Sequence, residues 1–170
     1  LRGVGRDGGP VRLLLAFMIA AAILSMFISN TSTALIMMPM ALAVLEGGGG
    51  GSGAEAEPVS QNGIYGALPM GIAFAASIGG LGTIVGSPTN AIAVGLLDEI
   101  AGVRITFAQW ALYGVPLVLL SIPLAAGIVA RVLRVADHPF DLASARAAID
   151  SHTAWTVPEK RLVPLFALTF

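Results

Sequence analysis

An apolar run over residues 11–45 is interrupted at its centre by three small polar residues, Ser29, Asn30 and Thr31. As one straight helix rising 1.5 Å per residue, the run would be roughly 52 Å long, whereas the hydrocarbon core of a bilayer is about 30 Å thick. Polar side chains are costly to bury in hydrocarbon unless partners satisfy them. The run therefore predicts a re-entrant helical hairpin with its tip at residues 29–31, surrounded by protein or by a water-filled cavity. The alternative is one long tilted helix whose polar residues face neighbouring helices.

Composition indicates a membrane protein. The chain has 56% hydrophobic and 11% charged residues, whereas soluble domains carry about 25% charged residues. We therefore expect an all-α integral membrane protein in contact with membrane lipid. The net charge of -1 and the lack of a basic stripe argue against a nucleic-acid partner. Because the sequence contains no cysteine, disulfides, thiolate metal sites and cysteine nucleophiles are excluded.

A second apolar run, residues 64–97, is interrupted by glycine and proline. Its interior holds Gly79, Gly80, Gly82, Gly86 and Pro88. These residue types weaken a helix interior, so we expect a broken transmembrane helix that unwinds between Gly79 and Ser87. The helix should restart with Ser87 as N-cap and Pro88 at the first helical position. The spacing Gly82-x-x-x-Gly86 is also a helix-packing motif, which is the alternative interpretation of these glycines.

The remaining segments complete the predicted architecture. Residues 46–62 are Gly-rich and predict a flexible, solvated linker. Residues 106–130 are long and apolar enough for one further transmembrane helix. Residues 131–161 predict an amphipathic cytoplasmic arm, and residues 162–170 predict the truncated start of the next helix, too short to span a bilayer. We therefore expect an internal fragment of a longer, multi-pass protein of the cell membrane.

The distribution of basic residues predicts the orientation of the segments. Residues 1–12 carry three arginines and residues 131–161 carry five Lys or Arg, whereas residues 98–105 carry one. By the positive-inside rule, the first two segments are cytoplasmic and the third is external. A hairpin that enters and leaves on the cytoplasmic side agrees with this distribution, whereas a single span over residues 11–45 does not.

The two polar interruptions offer ligands for a small hard cation. Ser25, Ser29 and Asn30 carry neutral oxygens, and Gly86 can present a backbone carbonyl because glycine allows close approach. Ser25 lies one helical turn before Ser29, so their hydroxyls are expected to share a face. Together these groups can hold Na⁺. The alternative for Ser25 is a hydrogen bond back to its own helix.

The same interruptions can bind an anion. A restarting helix exposes unpaired N–H groups, and these, with Asn30, Thr31 and Ser87, can hold carboxylate oxygens. The interiors of the apolar runs contain no Asp, Glu, His, Lys or Arg, so a proton relay is not expected, and Na⁺ balanced by an anionic substrate is favoured. No nucleophile–base pair or metal-ligand cluster is apparent, so we do not expect an enzyme.

Two motifs in this order resemble the divalent anion:sodium symporter (DASS) family. The segment Ser25-Met-Phe-Ile-Ser29-Asn30-Thr31 is similar to the family's Ser-Asn-Thr signature at a hairpin tip, with its preceding serine. Residues 77–90 are similar to its Gly-rich broken helix, with one departure at Thr89, where a second proline is common. The resemblance covers residues 11–130, and a pair of interrupted apolar segments is typical of transporter binding sites.

The resemblance implies a fold, a substrate class and a set of ligands. Members of the family have two inverted repeats and move substrate by an elevator-like sliding of a transport domain against a dimeric scaffold, so this chain would be half of the transport domain in a homodimer. The implied substrate is a small anion of the succinate, malate, fumarate or citrate class. The implied Na⁺ ligands are Ser25, Ser29, Asn30 and Gly86. The residues implied to border the substrate are Asn30, Thr31, Gly86 and Ser87.

Other functions remain open on the sequence. Some relatives exchange dicarboxylates without Na⁺. An arsenite or Na⁺/H⁺ permease belongs to the same broad fold group, and an intramembrane carboxylate elsewhere in the full protein would favour it. A non-transporting membrane scaffold subunit is the third possibility, and it would tolerate substitutions at Ser29, Asn30 and Ser87.

Overall fold

The computed structural model describes residues 8–48 and 63–137, and over these ranges the protein is helical and contains no strand. The expected all-α architecture is therefore found in the described part of the chain. The elements are α1 (Gly8–Ser25), α2 (Asn30–Gly48), α3 (Ile64–Gly79), α4 (Pro88–Ala101) and α5 (Phe107–Val132), followed by a 3-10 turn at Val135–Asp137.

The first apolar run is two helices joined by a short non-helical segment, residues 26–29. The predicted tip at residues 29–31 is therefore wrong in position, because Asn30 and Thr31 already belong to the first turn of α2. The reason is local. Ser29 Oγ accepts a hydrogen bond from Ser32 N at 3.2 Å, so Ser29 acts as the N-cap of α2 and the chain must leave the helical conformation before it.

Helices α1 and α3 lie side by side and run in the same direction. Leu14 and Met18 of α1 contact α3 at Gly71, where an added Cβ would lie 2.6 Å from Leu14 Cδ1. Two turns further along both helices, a Cβ at Gly79 would collide with the backbone of Ala22. Small residues allow this close approach of two helix backbones. The packing fixes the C-terminal ends of α1 and α3 next to each other.

Helix α2 runs back along the other two. It begins beside the C-terminal end of α3, where Asn30 contacts Gly80, and it packs against both α1 and α3. Met37, Ala41 and Leu45 are buried in the same apolar core as the interior residues of α1 and α3. The two arms of the run therefore fold back on each other. Because Val44 and Leu45 are buried, packing favours continuation of α2 to Gly48, three residues into the segment expected to be a linker.

Helix α5 closes the core and is the helix best suited to cross a membrane. Val118, Ile122 and Ala126 are buried in the core, and α5 packs against α1 and α3. Within residues 8–48 and 63–137, α5 is the one helix that is long and apolar enough, by length and composition, to span a bilayer. Gly9–Ser25 and Ile64–Gly79 are apolar but shorter.

Helix α4 projects from this core, and Asn90 is its one buried residue. The remaining predicted segments, namely most of the linker and nearly all of the cytoplasmic arm with the start of a further helix, fall at residues 49–62 and 138–170, outside the described residues.

Candidate functional site

The two interrupted segments meet at one place. The unwinding predicted between Gly79 and Ser87 is present, since α3 ends at Gly79 and α4 begins at Pro88. The Gly82-x-x-x-Gly86 spacing therefore lies in non-helical backbone and is not a helix-packing motif here. A Cβ placed on Gly80 would lie 2.5 Å from Asn30 Oδ1 and 3.3 Å from Gly86 O. These two oxygens, one from the start of α2 and one from the second interruption, lie near the same point.

Ser25 ends α1 and adds a third oxygen to this place. Its side chain is fully buried, and Ser25 Oγ lies 2.7 Å from Asn30 Oδ1 and 2.6 Å from Ala76 O of α3. The predicted alternative, a bond back to its own helix, is thus replaced by contacts with two acceptor oxygens of other elements. A hydroxyl has one hydrogen, so it cannot satisfy both acceptors at once. The group has more lone pairs than hydrogens, which suits a cation.

Ser29 and Thr31 are placed differently from Ser25. The expectation that Ser25 and Ser29 share a helical face is wrong, because α1 ends at Ser25 and helical spacing does not continue to Ser29. Ser29 Oγ lies 2.9 Å from Ser32 Oγ on the exposed side of the first turn of α2. Thr31 is also exposed in this turn. Both side chains are accessible at the N-terminal end of α2.

The restart of the second helix follows the predicted pattern at the backbone. Ser87 is the extended N-cap residue and Pro88 follows it at the start of α4. The Ser87 side chain makes no capping bond, and its Oγ lies 2.6 Å from Thr89 Oγ1. Thr89, the departure from the family pattern, therefore adds a second hydroxyl beside Ser87 at the N-terminal end of α4.

Two buried residues of the Gly-rich motif that have no role in the sequence-based prediction organise the loop over residues 80–87. Asn90 Nδ2 donates to Gly80 O at 2.7 Å and to Thr83 O at 2.8 Å. Thr83 Oγ1 donates to Met26 O across the two interruptions and accepts from Gly86 N at 3.1 Å. A polar side chain among glycines is a weak sequence signal, because it does not show which distant backbone groups it will meet.

Helix α5 also contacts this loop. Trp110 Nε1 donates to Leu81 O at 3.0 Å. A Cβ on Gly114 would lie 2.7 Å from both Leu81 O and Gly82 O, so only glycine allows α5 to contact these carbonyls. The loop is therefore held by α4 and α5 as well as by the first interruption.

The site is built from neutral groups. The described residues of both interruptions, 26–29 and 80–87, contain no ionisable side chain. Within the described part of the chain, no group of three or more His, Cys, Asp or Glu residues is arranged to hold a metal ion. The ion pair between Asp98, in the last turn of α4, and Arg104, in the loop that follows, is exposed and measures 3.3 Å. Carbonyl, hydroxyl and amide oxygens are thus the available cation ligands, and backbone N–H groups at two helix starts are the available anion ligands.

Comparison with known proteins identifies the family. The sequence profile of the citrate transporter family matches residues 4–170. The chain belongs to this family. Members of the family are transporters, and the resemblance to the DASS family found in the Ser-Asn-Thr and Gly-rich motifs is confirmed by this match together with the relatives below.

The chain is also similar to individual transporters. It is 40% identical over 108 residues to the sodium-dependent dicarboxylate transporter SdcS of Staphylococcus saprophyticus, covering 64% of this chain and 21% of that protein. It is 35% identical over 108 residues to SdcS of Staphylococcus aureus strain USA300, with the same coverage of 64% and 21%. An uncharacterized transporter of Haemophilus influenzae is 35% identical over 128 residues, which cover 75% of this chain and 24% of that protein. The chain thus spans less than a quarter of the length of these curated relatives.

Proposed function

We propose that the full-length protein transports dicarboxylate or tricarboxylate anions across the cell membrane, coupled to Na⁺. The observation that carries this proposal is the meeting of Asn30 Oδ1 and Gly86 O at one point beside Gly80. The names of the SdcS relatives support the substrate class and the coupling ion.

The cation part of the proposal rests on the supply of oxygens. Ser25 Oγ, Asn30 Oδ1 and Gly86 O come from two separate segments and carry no net charge. A hard cation is stabilised by several such oxygens and requires no deprotonation of its ligands. We assign Na⁺ to Ser25, Ser29, Asn30 and Gly86. Ser29 lies at the same interruption as Asn30, on its exposed side.

The anion part rests on the two helix starts. α2 begins at Asn30 and α4 begins at Pro88, so each interruption ends in a helix N-terminus that favours negative charge. We assign the border of the substrate site to Asn30, Thr31, Gly86 and Ser87. Because Asn30 and Gly86 appear in both sets, a bound cation would lie next to the carboxylate. This proximity offers a direct electrostatic reason for coupling.

The remaining parts of the proposal concern the whole protein. We propose that α1 and α2 form a re-entrant hairpin, that α3 and α4 form one broken membrane helix, and that α5 spans the membrane. Together they would supply one repeat's half of an elevator-type transport domain in a multi-pass homodimer. Membership of the citrate transporter family supports this arrangement.

The experiment is uptake of labelled succinate by the full-length protein in proteoliposomes, in NaCl and in matched KCl. We expect uptake in NaCl and little in KCl. Equal uptake in both salts would contradict Na⁺ coupling, and no uptake of succinate in either salt would contradict a dicarboxylate substrate.

Citrate is the second candidate substrate, since the matching family is described by it. Inhibition of labelled succinate uptake by unlabelled citrate and by unlabelled malate distinguishes a tricarboxylate from a dicarboxylate substrate. Stronger inhibition by malate identifies a dicarboxylate site, and stronger inhibition by citrate identifies a tricarboxylate site.

A further inference from the structure

We propose that Thr83 is a positioning residue whose hydroxyl joins the two interrupted helices and so sets the affinity of the site for Na⁺. The inference rests on the proposed function and deepens it, because Thr83 is outside the assigned ligand set. Its side chain is 3% exposed, and the mechanism proposed above assigns it no role.

The Thr83 hydroxyl has one partner on each side of the site. As a donor it binds Met26 O, in the first interruption and directly after Ser25. As an acceptor it binds Gly86 N at 3.1 Å, on the residue that supplies the assigned carbonyl ligand. One side-chain oxygen thus connects backbone groups that are far apart in sequence. Both groups are within one residue of an assigned cation ligand.

Asn90 keeps Thr83 in place for this connection. The two hydrogens of Asn90 Nδ2 are used on Gly80 O and Thr83 O, at 2.7 and 2.8 Å. The Thr83 main chain is therefore anchored to α4, and its side chain extends from this anchor to the first interruption. Asn90 thus binds the Thr83 main chain, and the Thr83 side chain binds Met26 O and Gly86 N.

This connection matters because the cation ligands come from two segments. Ser25 and Asn30 flank the first interruption, and Gly86 belongs to the second. If the two segments were free to separate, cation binding would have to bring them together. The measured affinity would then be the intrinsic affinity multiplied by the fraction of time that the segments are together. The Thr83 hydroxyl removes part of this ordering cost before the cation binds.

The chain offers a matched control in Thr33. Both threonines are buried, at 0% and 3% exposure. Thr33 Oγ1 has no hydrogen-bond partner within the described part of the chain, whereas Thr83 Oγ1 has two. Replacing either by valine makes the same chemical change, but only Thr83→Val removes a connection between the two interruptions.

The test is thermal unfolding of the purified full-length protein over a range of NaCl concentrations, with KCl keeping the ionic strength constant. A ligand that binds the folded state raises the unfolding temperature as its concentration passes its Kd. We expect Thr83→Val to shift the Na⁺ response to concentrations about tenfold higher or more, as a lost buried hydrogen-bond pair implies. Thr83→Ser keeps the hydroxyl and should restore the wild-type response. Thr33→Val should show the wild-type response.

Each outcome decides a different point. An unchanged Na⁺ response in Thr83→Val overturns the inference and leaves the proposed function intact. An equal shift in Thr33→Val also overturns it, because the effect is then common to any buried hydroxyl. If the wild-type protein itself shows no Na⁺ response, Na⁺ coupling is overturned and this inference with it. A cooperative unfolding transition in KCl shows that the Thr83→Val protein is folded. If Thr83→Val does not fold, the same experiment is carried out with Thr83→Ala, which also lacks the hydroxyl and has a smaller side chain.

Discussion

Ser25 Oγ lies 2.7 Å from Asn30 Oδ1, across the interruption between the last residue of α1 and the first residue of α2. The same hydroxyl lies 2.6 Å from Ala76 O, so an acceptor of α3 and an acceptor of α2 lie within hydrogen-bonding distance of one oxygen. The hydroxyl is therefore central both to the folding of the two arms and to the proposed cation site.

Replacing Ser25 by alanine should weaken Na⁺ binding. The change removes one oxygen ligand and the hydroxyl that lies 2.7 Å from Asn30 Oδ1, and a lost hydrogen bond costs about 0.5–1.5 kcal/mol. We expect the Na⁺ concentration for half-maximal succinate uptake to rise about tenfold or more. Ser77→Ala is the control, because Ser77 is exposed and bonds only to Ala73 O of its own helix, at 3.1 Å. Equal effects of the two substitutions would contradict the assignment of Ser25.

Replacing Gly86 by alanine should disrupt the site by steric overlap. The new Cβ would lie 2.7 Å from Gly80 O and 2.8 Å from Ser25 O, and backbone atoms cannot move away as a flexible side chain can. We expect Na⁺-dependent uptake to fall to background at equal membrane abundance. Gly95→Ala is the control, since a Cβ there has no neighbour within 4 Å in the described structure. Normal uptake by Gly86→Ala would show that the loop is not held against the first interruption.

Replacing Thr33 by valine should leave stability unchanged or raise it. The Thr33 hydroxyl is buried and has no partner in the described part of the chain, so its removal costs no hydrogen bond. Valine has nearly the same shape, and the expected gain is up to about 1 kcal/mol. The unfolding temperatures of full-length wild type and Thr33→Val measure this change in stability. A clear fall in unfolding temperature would mean that this hydroxyl has a partner outside the described residues.

The sequence predicted the interruptions well because each depends on local chemistry. Consecutive polar residues in an apolar run indicated the first, and closely spaced glycines followed by Ser87-Pro88 indicated the second. The position of the first was wrong by a few residues because polarity marks where a site lies and does not mark which residue caps the helix. The hydrogen bond from Ser32 N to Ser29 Oγ makes Ser29 the N-cap and so determines where α2 begins.

The contacts between segments could not be predicted from local patterns. Ser25 binds Ala76 O, and Thr83 binds Met26 O, over separations of 51 and 57 residues. Such pairs depend on the parallel packing of α1 and α3, which places the C-terminal ends of both helices together. The candidate ligands were therefore named from the sequence and its family resemblance, whereas the hydrogen bonds by which Thr83 and Asn90 hold the loop were found only in the structure.

The most direct measurement is the Na⁺ dependence of labelled succinate uptake by Asn30→Ala in the full-length protein, at membrane abundance equal to wild type. Asn30 is assigned to both the cation and the anion, and its Oδ1 faces the point that Gly86 O also faces. We expect insertion to survive, because alanine is better tolerated in lipid than asparagine. We expect affinity to fall about a hundredfold, as for a loss of a few kcal/mol, so that uptake is abolished at ordinary Na⁺ concentrations. Uptake by Asn30→Ala with wild-type rate and wild-type Na⁺ dependence would contradict the proposed site.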